Sequence, residues 1–245
     1  MAKDLREYPV RGAFRVHRAP TTRFIRPPRD RFDDPASEYT AWYLASTLRG
    51  ALIEVLNHFR PDPATEQALA DVRDVTDVDI AHGPSTSAGY VPNAFLASLR
   101  VAVGRLVPAP GHAFRDVMDE DYLAAMNLDL SIRAVLAFGG HQMFGRPPAL
   151  NFGSIQAQSS EARMLTQALS RTVFEDPRNL RGIRYVSCHT EAEECWAVFE
   201  HESRNDCRMV FSEPARLEPL NPEHRNAVRS AALLLRLQLP DAWSG

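Results

Sequence analysis

The chain has 245 residues, enough for one large domain or two small ones and for a substantial core without disulfides or metals. Its 44% hydrophobic and 24% charged residues give the balance of a globular protein and exclude a disordered or fibrous class. A formal net charge of -3 removes any global electrostatic case for nucleic acid or an anionic membrane.

The charge is unevenly spread. Residues 1–31 hold nine Lys and Arg against three acids, which suits either a phosphate-binding arm or a solvated one. Cys188, Cys195 and Cys207 are the three cysteines. An odd number late in the chain argues against a secreted disulfide framework, and the absence of Cys-x-x-Cys argues against a zinc ribbon. The start "MAKDLREYPV" has no apolar h-region, and no run approaches the roughly 18 apolar residues of a membrane span. A cytoplasmic location is expected.

In chain order, "FRVHRA" (14–19) alternates as a strand does. The proline-rich stretch 20–38 reads as a long loop, of the kind that often carries function. "YTAWYLAS" (39–46) reads as a second strand. Ser46 is placed to cap a helix from Thr47 to about Phe59, ended by Pro61 and Pro63. Residues 72–81 suggest a strand. Residues 93–106 suggest an amphipathic helix with Phe95, Leu96, Leu99 and Val103 on one side. A largely helical stretch is expected at 119–138, a loop at 139–154, and a capped helix at 159–175. "GIRYVSCHT" (182–190) and "CWAVFEH" (195–201) look like two strands around an acidic turn. Asn221 and Pro222 open a last helix. The pattern predicts a single α+β domain.

No nucleophile elbow, no His-Glu-x-x-His and no Walker A sequence occurs, so the common hydrolase, zincin and P-loop chemistries lack their residues. His141 and His189 stand out among scattered histidines but read best as structural. Cys188 reads as a buried, inert thiol. Glu54 poses a sharper question, since it interrupts the run "LIEVL". At about 100° per residue, Leu48, Ala51, Leu52, Val55 and Phe59 share one face, and Glu54 lies on the other with Thr47, Gly50 and His58. Polar residues belong on such a face. Gly50, however, is costly inside a helix by about 1 kcal/mol, which suggests a close approach there, leaving room beside the carboxylate. Tyr43 and the arginines of the preceding loop could join the acid in recognising a charged nucleotide.

The segment "FRVHRA…RFDDP…YLAS…GALIEVL", with the later "LTQALSRTVFE…GIRYVSCHTEAEECWAVFE", resembles the RES-domain family. These are toxins of two-gene toxin–antitoxin modules, named for an Arg, a Glu and a Ser. The best-matching blocks are 14–60 and 160–202, and 82–158 matches poorly. The resemblance implies one α+β domain over 1–245, with a small mixed sheet flanked by helices and related to ADP-ribosyltransferases. It implies an enzyme that cleaves the nicotinamide–ribose bond of NAD+ with inorganic phosphate as acceptor, an NAD+ phosphorylase. NAD+ is then substrate, phosphate is co-substrate, and no permanently bound cofactor or metal is implied. The implied partner is an antitoxin of helix-turn-helix type, with nucleic acid reached only through it and no membrane contact.

The same resemblance implies site residues. The family arginine falls on Arg31, where Asp30 replaces the usual glycine before it. The family tyrosine falls on Tyr43, the glutamate on Glu54 and the serine on Ser187 in "IRYVS". An early arginine falls on Arg18. Glu54 would orient the ribose and stabilise the oxocarbenium-like charge. Arg31, supported by Arg18, would hold pyrophosphate or the acceptor phosphate. Tyr43 would stack on nicotinamide, and Ser187 would donate a hydrogen bond. Two alternatives remain open: ADP-ribosyl transfer to a macromolecule, and a non-catalytic module whose basic arm contacts nucleic acid.

Overall fold

The computed structural model describes residues 4–18, 30–60, 89–108, 112–129, 132–136, 149–157, 159–201 and 207–244. The strand expected at 72–81 and His141 lie outside them. The strands are β1 (Leu5–Glu7), β2 (Ala13–Arg18), β3 (Thr40–Ala45), β4 (Leu99–Val107), β5 (His112–Asp116), β6 (Gly182–Val186), β7 (Glu194–Glu200), β8 (Arg208–Phe211) and β9 (Ala215–Arg216). They form one sheet in the order β1-β5-β6-β7-β3-β2-β4-β8, with β9 also on β4. β5 and β6 are parallel, and the other pairs are antiparallel. The expected α+β class is observed.

Helix α1 (Leu48–Leu56) packs on β2, β3 and β7. The C-terminal helix of Pro222–Leu235 covers its outer side. Leu52, Ile53 and Leu56 are completely buried, and each contributes about 1.5–3 kcal/mol through removal from water. Helix α5 (Ser160–Phe174) packs on β6 and against α4 (Phe152–Gln156). The main core lies between these helices and one face of the sheet. Among the described residues, no helix is long and apolar enough to cross a membrane.

Several local expectations change. The N-cap of α1 is Thr47, whose Oγ1 accepts from the Gly50 N–H at 2.9 Å. Ser46 instead accepts a hydrogen bond from the Trp196 indole at 3.0 Å. The helix expected over 93–106 is a short α2 (Asn93–Ser98) that runs directly into β4. "LRVAVGRLV" has apolar residues compatible with both periods, and pairing with β2, β8 and β9 settles it as a strand, because strand preference depends on neighbours more than on the residue itself. The stretch 119–138 breaks after α3 (Glu120–Met126). There the Asn127 amide donates to Leu123 and Leu150 carbonyls, each at 3.0 Å.

Candidate active site

Glu54 sits toward the C-terminal end of α1, on the face that helical spacing assigns to polar residues. The middle of that face is covered, while Thr47 and His58 at its two ends are exposed. Gly50 and Ile53 beside it are buried and Glu54 is half-buried. The turn between β6 and β7 lies over the carboxylate. Ser187, the residue after β6, donates its Oγ–H to Glu54 Oε1 at 2.7 Å. The Cys195 thiol points at the same oxygen from 4.0 Å. Burial raises the Glu54 pKa above its usual value, while the Ser187 hydrogen bond and the Arg31 charge act in the opposite direction. The result is an aligned carboxylate in a poorly hydrated setting, where charge interactions are stronger than in water.

Ser187 is buried, and the turn that holds it is closed by backbone bonds. Its N–H donates to the Glu193 carbonyl at 3.0 Å, and the Thr190 N–H donates to the Ser187 carbonyl at 3.3 Å. Ser187 was expected on a strand, but β6 stops at Val186, which frees the side chain from the pleat. The register that brings Cys195 opposite Tyr185 places both beside the acid.

Arg31 arrives on a loop that the rest of the fold pins down. Phe32 is fully buried, with its ring 4.9 Å from that of Tyr185. Its carbonyl accepts from Ser170 Oγ at 2.7 Å, and the Asp30 carbonyl accepts from the Gln167 amide at 3.0 Å, so α5 grips the loop twice. Asp34 accepts from the N–H groups of Ala36, Glu38 and Tyr39. The Arg31 guanidinium donates through Nη2 to the Ile155 carbonyl at the end of α4. Its Nε and Nη1 are buried with no hydrogen-bond partner among the described residues. A buried donor left unpaired is unfavourable by about 1–3 kcal/mol, which makes these two nitrogens candidate donors to an anion. The Arg31 guanidinium lies 5.6 Å from the Tyr185 ring centroid, and its charge acts on Glu54, on Tyr185 and on Cys195.

Tyr43, on β3, holds this loop from the sheet side. Its hydroxyl accepts from the Phe32 N–H at 2.8 Å and donates to Asp33 Oδ1 at 3.0 Å. Burial, then the Asp33 charge, push the phenol well above its usual pKa, so it stays a donor. Arg18 is set apart from the other predicted residues. Its guanidinium lies 5.2 Å from the Phe95 ring centroid, next to His58. No described contact joins Arg18 to Glu54, Arg31 or Ser187, because β2 ends here on the β4 side of the sheet.

The expectations for Gly50 and Cys188 also change. A Cβ on Gly50 would stand 2.7 Å from Glu193 Oε2 and 3.0 Å from Ala45 Cβ. The close approach is therefore by the Glu193 carboxylate, and Gly50 leaves no open space beside Glu54. Cys188 is half-exposed, with Sγ 3.3 Å from His189 Nε2. His189 also approaches Arg60 at 3.5 Å. Burial first, then the Arg60 and Arg31 charges, push its pKa down to about 4, so the ring is neutral at pH 7. Tyr185, Cys195 and Glu193 carry no motif. The one sequence signal for Tyr185 and Cys195 is their place on the two strands around Ser187, and for Glu193 its place in the acidic turn between them. Among the described residues, no three His, Cys, Asp or Glu side chains gather as a metal-ion site.

The arrangement is a carboxylate aligned by a serine beside an arginine whose Nε and Nη1 lack a partner among the described residues, on an α+β frame. A family model described as "RES domain" matches residues 8–218, and the chain belongs to that family. Arg31, Glu54 and Ser187 all lie within the matched residues. No curated protein matches the sequence. Among solved structures, the M. tuberculosis MbcT–MbcA toxin–antitoxin complex is similar at 12% identity over 91% of each chain, with a TM-score of 0.47. That likeness is too distant to transfer residues or activity.

Proposed function

We propose that this protein degrades NAD+ by cleaving the nicotinamide–ribose bond, with inorganic phosphate as acceptor, and acts as the toxin of a toxin–antitoxin pair. The observation that carries the reading is the 2.7 Å Ser187–Glu54 hydrogen bond beside an Arg31 whose buried Nε and Nη1 have no hydrogen-bond partner among the described residues. As the C1″–N bond breaks, its electron pair neutralises the pyridinium nitrogen, and positive charge spreads over C1″ and the ring oxygen. Glu54 stabilises that charge and orients the ribose hydroxyls. Ser187 holds Oε1, so the carboxylate does not reorganise as charge develops. A phosphate oxygen then forms the new bond to C1″, giving nicotinamide and ADP-ribose-1″-phosphate. Arg31 offers this dianion, or the pyrophosphate of NAD+, the planar fork that suits it. Tyr43 acts through its ring at the nicotinamide end and through its hydroxyl on the Arg31 loop.

Family membership supports the toxin role, and a helix-turn-helix antitoxin is the partner proposed with it. Purified protein incubated with NAD+, with and without phosphate, tests the activity by product mass. Phosphate-dependent release of nicotinamide and ADP-ribose-1″-phosphate is expected. NAD+ left intact where a control enzyme consumes it would overturn the reading. Label from NAD+ appearing on protein or nucleic acid would move it to macromolecular ADP-ribosylation.

A further inference from the structure

The geometry points to Glu193 as a positioning residue that locks α1 to the β6–β7 turn and so brings Ser187 onto Glu54. Glu193 is a buried carboxylate, 3% exposed, that the proposed chemistry does not use. Its backbone and side chain face the two halves of the pair. The carbonyl accepts the Ser187 N–H at 3.0 Å, which sets the serine's place in the turn. Its side chain reaches the first turn of α1, where Oε2 accepts from Thr47 Oγ1 at 2.5 Å and Oε1 lies 3.5 Å from Arg49 Nε. Thr47 is also the N-cap, so Glu193 is bonded to the residue that starts the helix carrying Glu54. A carboxylate at a helix N-terminus is favoured by the helix dipole as well.

Gly50 is the complement to this contact. Only a residue without Cβ lets Oε2 lie against the helix backbone there. The neighbouring Ser46 N–H donates to the Glu194 carbonyl at 2.9 Å, so the strand beneath is held in the same register. Two separate elements, α1 and a hairpin turn more than a hundred residues later, are thereby joined by one side chain about one helical turn from the carboxylate. Its effect on turnover rests on the reading given above, whereas its effect on the Glu54–Ser187 pair does not.

The test therefore follows the pair directly. The Glu54 carboxyl is titrated by carbon-13 NMR in the wild type, with its resonance assigned by loss in Glu54→Gln. Ser187→Ala is expected to raise the Glu54 pKa by removing a hydrogen bond to the ionised form. Glu193→Ala and Gly50→Ala are expected to raise it in the same direction, and Glu193→Gln, which keeps the shape and one acceptor, to shift it less. In parallel, kcat for NAD+ consumption should fall in Glu193→Ala with little change in KM. A Glu54 titration unmoved in folded Glu193→Ala and Gly50→Ala, while Ser187→Ala moves it, would overturn the positioning role. If the wild type leaves NAD+ intact, the proposed activity fails and the NMR result still decides the role of Glu193. Should Glu193→Ala not fold, Glu193→Gln and Gly50→Ala carry the test.

Discussion

Replacing Gly50 with alanine should destabilise this protein, although the same change strengthens most helices. Alanine is better than glycine inside a helix by about 1 kcal/mol. At position 50 the added Cβ meets Glu193 Oε2 at 2.7 Å and Ala45 Cβ at 3.0 Å. The carboxylate has to withdraw and give up its 2.5 Å bond from Thr47. A hydrogen bond to a charged group is worth about 1.5–3 kcal/mol, and more is lost if the charge stays buried without it. The expected balance is a net loss of about 1–2 kcal/mol. In a Glu193→Ala background the oxygen is gone, only the Ala45 contact opposes the new methyl, and the change should be neutral or stabilising by up to about 1 kcal/mol. Urea unfolding followed by circular dichroism on the four proteins of this double-mutant cycle measures the coupling, about 2 kcal/mol. Equal losses from Gly50→Ala in both backgrounds would refute the reasoning, because the clash would then not be with Glu193.

Other outcomes follow from the site. Ionising Glu54 is unfavourable in the fold, since burial raises its pKa above the unfolded value. Stability should fall as pH rises through the window between those two values, and Glu54→Gln should be inactive yet more stable than wild type at pH 7, with the gain vanishing below that window; a lower melting temperature for Glu54→Gln at pH 7 would contradict this. The acid limb of kcat/KM should lie above the ordinary carboxylate range and move higher still in Ser187→Ala, which a pH–rate profile reads. Tyr43→Phe keeps the ring but leaves the Phe32 N–H without its 2.8 Å acceptor, so it should lower stability by about 1–3 kcal/mol and weaken activity through the Arg31 loop; unchanged activity would show that the ring alone matters. Arg31→Lys cannot hold the Ile155 carbonyl and still present a two-donor fork, so kcat/KM should drop by about 100-fold or more, measured under saturating NAD+ and varied phosphate.

The sequence by itself determined the α+β class and helices near 47–59, at 159–175 and opening at Asn221–Pro222, which the structure shows as Leu48–Leu56, Ser160–Phe174 and Pro222–Leu235. Those elements were legible because their signals are local: caps, proline stops and apolar spacing act within a few residues. The resemblance of two short blocks to a known family singled out Arg31, Glu54 and Ser187 as candidates, because the residue types occur together and in order. Tertiary structure alone decided what surrounds them. Helical spacing puts Glu54 opposite the apolar stripe, but an isolated helix cannot reveal what covers that side, and here it is a hairpin turn contributed from 133 residues away. The choice between Ser46 and Thr47 as cap was made by the Trp196 indole, which occupies the first hydroxyl. The strand at 99–107 was set by its neighbours in the sheet. Tyr185 and Cys195 were legible only as strand residues and Glu193 only as part of an acidic turn, since nothing in their own surroundings marks them for the site. They reach the site through the pairing of β6 with β7, and register between strands is a property of the assembled sheet.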